Sequence, residues 1–147
     1  MNNPDSVPAR MLITWYALFQ VLHFVVNALA LADFAAGRAA FPALPPPGGW
    51  SSQAVHFFTA MAALDAVNAL LTLLFVYAYF RRRPWRGWLG TVVLTVSLYA
   101  ALVFDYTTLA SGAWPPNVAG YLFINITFLP VIALAILWSR WQAGGRL

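Results

Sequence analysis

Four long apolar runs, at about residues 11–33, 54–80, 88–110 and 118–138, take up nearly the whole chain and leave almost nothing for a soluble domain. Each is long enough for the roughly 20 residues that carry a helix across a hydrocarbon core of about 30 Å. Inside lipid, every backbone N–H and C=O must be satisfied within the protein, and a helix does this segment by segment. The sequence therefore predicts an all-α fold, an integral membrane four-helix bundle that forms one transmembrane domain over residues 1–147. Composition agrees, with 62% hydrophobic and only 8% charged residues, against about a quarter charged in a soluble domain.

The few charges read as a topology signal. The eight basic residues are all Arg and the four acidic ones all Asp. Arg81, Arg82, Arg83 and Arg86 crowd the short link between the second and third runs, Arg10 precedes the first, and Arg140 and Arg146 follow the last. Cytoplasmic loops carry such an excess. Both termini and the 81–87 link are thus predicted to be cytoplasmic, with the 34–53 and 111–117 links outside. This accounts for the basic cluster without nucleic acid as a partner. Trp15, Trp85, Trp88, Trp138 and Trp141 fall at predicted inner ends, and Trp50 and Trp114 at outer ends, as in an interfacial aromatic belt. Arg10, an apolar core and Ala28-Leu29-Ala30 also resemble a signal peptide. Gln20 and His23 inside that core favour a retained helix, as does the even number of spans needed to return both termini to one side.

The absence of cysteine removes disulfides, thiol nucleophiles and cysteine-ligated metal clusters. His23 and His56 differ by about 12 Å in depth, so one haem iron cannot take both, and the Asp residues are scattered. No metal and no cofactor is expected.

The links are punctuated by proline and glycine. Residues 1–9 read as a frayed arm. Residues 42–49, PALPPPGG, cannot be helix and form an outer link that could lie over the bundle mouth. The short 81–87 link makes the second and third spans an antiparallel hairpin. Pro115 and Pro116 end the third link and open the fourth span just beyond, and Pro130 kinks that span from within. Ala62, Ala66 and Ala69 allow close helix approach.

Against this background a polar set stands out. Tyr16, Gln20, His23 and Asn27 recur at helical spacing on one face of the first span, and Met61, Asp65, Asn68 and Thr72 on one face of the second. Ionisable groups in a span face the bundle interior and mark functional sites. From the 1.5 Å helical rise, His23 lies about 16 Å from the inner surface, Asp65 about 14 Å and Tyr99 about 16 Å, while Asn125 lies about 10 Å below the outer surface. An acid and a base at one level, flanked by amides and a phenol, suit proton transfer on a greasy substrate. The candidate catalytic pair is Asp65 and His23, and the candidate ligand-binding residues are Gln20, Asn27, Asn68, Tyr99 and Asn125. Asp33 and Asp105 fall at outer span ends.

The order of parts resembles the EXPERA family, which includes sterol isomerases and sigma-two-receptor-like proteins. The resemblance rests on four spans with a longer link between the first two, and on Asp65-Ala66-Val67-Asn68 in the second span. It rests also on the exit Tyr77-Ala78-Tyr79-Phe80-Arg81, on Phe104-Asp105-Tyr106 ending the third span, and on Phe128-Leu129-Pro130 with Arg140 after it. It implies a pocket that opens sideways to the bilayer and holds sterols or cationic amphiphiles. By this likeness Asp65 is the second-span acid, Asn68 the amide after it, Asn125 a pocket residue and Asp33 the first-span acid. The chain departs from the family in lacking Glu, and Asp105 is placed at the outer end rather than at pocket depth, so the second proton-transfer role falls to His23.

The expected function is binding of an apolar or amphiphilic molecule or lipid in an intramembrane pocket. As an enzyme, the protein would be an isomerase or cyclase of an isoprenoid- or sterol-like substrate. Two other readings stay open: a small non-catalytic subunit of a larger membrane complex, and a small proton-coupled transporter, as a homodimer.

Overall fold

The computed structural model describes residues 4–35 and 44–145, with the side chain of residue 34 left aside. Four helices follow one another, α1 (Val7–Ala35), α2 (Ser52–Phe80), α3 (Arg86–Ala110) and α4 (Val118–Ala143), with a 3-10 turn at Pro115–Asn117 before the last. All four are long and apolar enough to cross a membrane. The fold is thus the all-α four-helix bundle expected from the apolar runs. Each helix packs on its neighbours in sequence and α4 closes on α1, so the order around the bundle is α1-α2-α3-α4.

The turns explain where the helices stop. Ser51 caps α2, its hydroxyl accepting from Ala54 N–H at 3.2 Å. At the other end Arg83 N–H reaches Ala78 O (2.8 Å) and Arg82 N–H reaches Tyr79 O (3.1 Å), the paired bonds of a Schellman motif. The residue at its left-handed position is Arg82, with φ +52°, where glycine is the unstrained choice. α3 ends in the same motif, through Ala113 N–H to Thr108 O, but Gly112 takes the left-handed position at φ +75°. The prolines 115 and 116 fall in the 3-10 turn that leads into α4.

Two expectations are corrected. The arm is not frayed from residue 4 onward: α1 begins at Val7, Ser6 Oγ accepts from Ala9 N–H at 3.4 Å, Tyr79 donates its hydroxyl to Pro4 O, and Asp5 meets Arg82 at 3.5 Å. Proline is tolerated in a first turn, so Pro8 does not delay the helix. Nor do Trp138 and Trp141 belong to an interfacial belt, for both are buried. They pack with Ile13, Phe75, Tyr79, Leu89, Val93 and Leu134 in a core at the end of the bundle that carries the arginine-rich turn. We call this the basic end.

Candidate functional site

The opposite half of the bundle encloses a cavity of about 360 Å³, in the size range of small-molecule sites. All four helices contribute to it. Phe19, Phe58, Phe104, Phe123 and Phe128 supply most of its aromatic surface, and Ala62, Ala100 and Ala101 make room. On one side α1 and α4 are joined by Trp15, whose indole N–H donates to Thr127 O at 3.1 Å, and by the Phe19 and Phe128 rings, 5.6 Å apart. Pro130 lacks the N–H that would tie its own helix turn there. Further from the basic end, Leu22 on α1 and Phe123 and Ile124 on α4 line the cavity and are themselves exposed. On this side the cavity wall is made of side chains that also face outward.

The acid and the base expected from depth alone do meet. His23 Nε2 lies 3.6 Å from Asp65 Oδ2, and both residues line the cavity. The His23 ring stands edge-on to Phe19 at 5.8 Å.

Toward the basic end the cavity floor is a buried hydroxyl and amide network centred on Ser97 of α3. Gln20 Nε2 donates to Ser97 Oγ at 2.9 Å and Asn68 Nδ2 donates to it at 3.0 Å. Ser97 Oγ and the Tyr16 hydroxyl are 2.7 Å apart. Tyr16 donates to Val93 O at 3.0 Å and accepts from Thr72 at 3.2 Å. The stripes on α1 and α2 are thus the two sides of one network, joined by a residue that sequence reasoning did not single out. A serine in an apolar helix attracts no notice; only the convergence of three other polar side chains reveals it.

A second polar group lines the same cavity. Asn125 Nδ2 donates to Asp105 Oδ1 at 3.1 Å and to Tyr121 O at 3.0 Å. Asp105 was expected at the outer end and away from the pocket, but it lines the cavity, which lies in the half of the bundle far from the basic end. Asp33, at the end of α1, is not among the lining residues.

Of the remaining candidates, Gln20, Asn27, Asn68 and Asn125 line the cavity, whereas Tyr99 does not. Its side chain is on the outside of α3, 69% exposed. Its depth is suitable, but two residues turn a helix by about 200°, so when Ser97 faces inward Tyr99 cannot. Two amide atoms in the cavity wall, Asn27 Nδ2 and Asn68 Oδ1, are buried and have no hydrogen-bond partner among the described residues.

The chain matches no known family model, no curated protein and no solved structure. The site is therefore interpreted from its own geometry.

Proposed function

We propose that this chain is a multi-pass membrane protein, with both termini cytoplasmic, that takes an apolar or amphiphilic molecule from the bilayer through the gap between α1 and α4. There it performs intramembrane acid–base chemistry on an isoprenoid- or sterol-like substrate. The observation that carries the reading is the contact between His23 and Asp65 at 3.6 Å in the wall of a largely apolar cavity. An acid and a base in contact inside an apolar pocket suit general acid–base catalysis. The arginine excess at the basic end supports the orientation.

In the proposed reaction the Asp65 carboxyl gives its proton to one carbon of a double bond, leaving a cation on the neighbouring carbon. The phenylalanine rings of the cavity stabilise that cation. His23 then removes a proton from the next carbon and the double bond re-forms one position along. The proton on His23 is then exchanged with water and Asp65 is re-protonated, so the step is an isomerisation with no redox change that carries one solvent hydrogen into the product. Asp105, held by Asn125, is a second carboxyl within the same cavity.

The test is deuterium exchange. The protein in lipid nanodiscs is incubated in D2O with the neutral lipids extracted from its source membrane, and the lipids are analysed by mass spectrometry. One lipid class gains carbon-bound deuterium, and Asp65→Asn lowers the rate by about 10²–10⁴-fold while the protein still folds. Full turnover by Asp65→Asn overturns the mechanism. Stoichiometric co-purification of other subunits, with no exchange, points instead to a structural subunit of a membrane complex.

A further inference from the structure

The network on the cavity floor fixes the orientation of the Asn68 amide. A hydroxyl has one hydrogen to give and two lone pairs that receive, an amide NH2 only gives, and a backbone carbonyl only receives. Gln20 and Asn68 each donate to Ser97 Oγ, which fills its lone pairs. Ser97 then gives its hydrogen to Tyr16, and Tyr16 gives its own to Val93 O while accepting from Thr72. Every contact in the network holds one hydrogen.

Turning the Asn68 amide over breaks this arrangement. Its oxygen would then take the Ser97 hydrogen, and the 2.7 Å contact between Ser97 and Tyr16 would hold none unless Tyr16 released Val93 O. The satisfied arrangement places Nδ2 on Ser97 and Oδ1 on the other edge. Asn68 is 4% exposed and lines the cavity, and its Oδ1 has no partner among the described residues. A buried acceptor left unpaired is costly.

We infer that Asn68 selects the ligand's polar group by accepting a hydrogen bond from it, an alcohol hydroxyl above all, and that Ser97 is the positioning residue that holds the amide in this orientation. The inference rests on the cavity being the binding site. An ether oxygen brings only lone pairs to Asn68 Oδ1, and a hydrocarbon end leaves it unpaired. The hydroxyl enters first and reaches the floor. The apolar body then lies against Phe19, Phe104 and Phe128, beside His23 and Asp65.

The experiment uses the full chain in nanodiscs and two probes that differ in one group, farnesol and farnesyl methyl ether. Tritiated farnesol is bound to saturation and the ether competes for it. Farnesol binds about tenfold more tightly than the ether, as expected for one buried hydrogen bond. Asn68→Leu removes the difference by weakening farnesol alone. Ser97→Ala frees the Asn68 amide to turn and narrows the difference to about twofold or less. Ala101→Phe, which places a ring in the cavity, weakens both probes.

Equal binding of the two probes to the wild type, with both weakened by Ala101→Phe, overturns the role of Asn68 and leaves the binding site standing. Binding that Ala101→Phe does not change, or no binding of either probe, overturns the site and this inference together. The wild-type comparison decides the matter even where Asn68→Leu fails to fold.

Discussion

Gly90→Ala tests whether the basic half of the bundle is the rigid half. A Cβ at Gly90 would lie 2.3 Å from Trp138 Cζ2, 2.5 Å from Trp138 Cε2 and 2.7 Å from Phe75 Cε2. Carbon atoms rest about 3.5–4.0 Å apart, so more than about 1 Å of movement is needed. Trp138 cannot swing away. It is 1% exposed and lies against the rings of Phe75 at 5.0 Å and Trp141 at 6.0 Å. The helices α3 and α4 must therefore separate. That strains the bonds from Trp138 and Gln142 to Gly87 O, worth about 0.6 kcal/mol each in a membrane. Overpacking adds about 1–3 kcal/mol, and the better helix propensity of alanine returns about 1 kcal/mol. The net expectation is a loss of about 2 kcal/mol. Reversible unfolding in mixed micelles, by denaturing detergent or steric trapping, measures it. Combining Gly90→Ala with Trp138→Phe should cost less than the sum of the two single changes. A Gly90→Ala protein that unfolds like the wild type, or a strictly additive pair, refutes the close packing of α3 on α4.

Three further outcomes are expected. Arg82→Gly relieves the left-handed backbone at the α2–α3 turn and stabilises the protein by about 1 kcal/mol, less the small contribution of the exposed Asp5 contact, read by the same unfolding assay. Tyr16→Phe removes the hydroxyl that joins Ser97, Thr72 and Val93 O and destabilises by about 1–2 kcal/mol; a neutral result would mean that the network adds nothing to stability. His23→Gln keeps a polar side chain of similar reach but removes the base, so deuterium exchange should fall by about 10²-fold or more with the unfolding midpoint little changed.

The fold was legible because apolar run length is a direct consequence of bilayer thickness, and the two polar stripes were legible because α-helical spacing decides which side chains share a face. Depth was legible too, which is why His23 and Asp65 could be set at one level, but that they meet across two helices is seen only in the structure. Rotation of each helix about its axis was not legible. α3 is apolar nearly all round, so nothing in its sequence says that Ser97 faces inward and Tyr99 outward. Asp105 was misjudged for a different reason. Its depth was read as distance from the centre of the bundle, but the cavity occupies the far half, where that depth lies within the site. Trp138 and Trp141 sit at the height of an interfacial belt, and only Gly90 opposite shows that the Trp138 indole turns inward.

The position of the cavity follows from side-chain volume. In the basic half the facing positions carry Phe75, Tyr79, Leu134, Trp138 and Trp141, which fill the space between four helices. In the far half many of the corresponding positions carry Ala62, Ser97, Ala100 and Ala101. Helices of 25–29 residues, held at aromatic spacing along one half, cannot close onto alanine along the other. A void left this way and lined by phenylalanine alone would stay dry. Asn27 and Asn68 make the difference, since each sets a buried amide atom without a partner among the described residues into that wall. Such groups are usually satisfied by ordered water or by a ligand. On the proposed reading, a hydroxyl-bearing amphiphile entering between α1 and α4 would satisfy the amide and fill the aromatic volume together, which water alone does not.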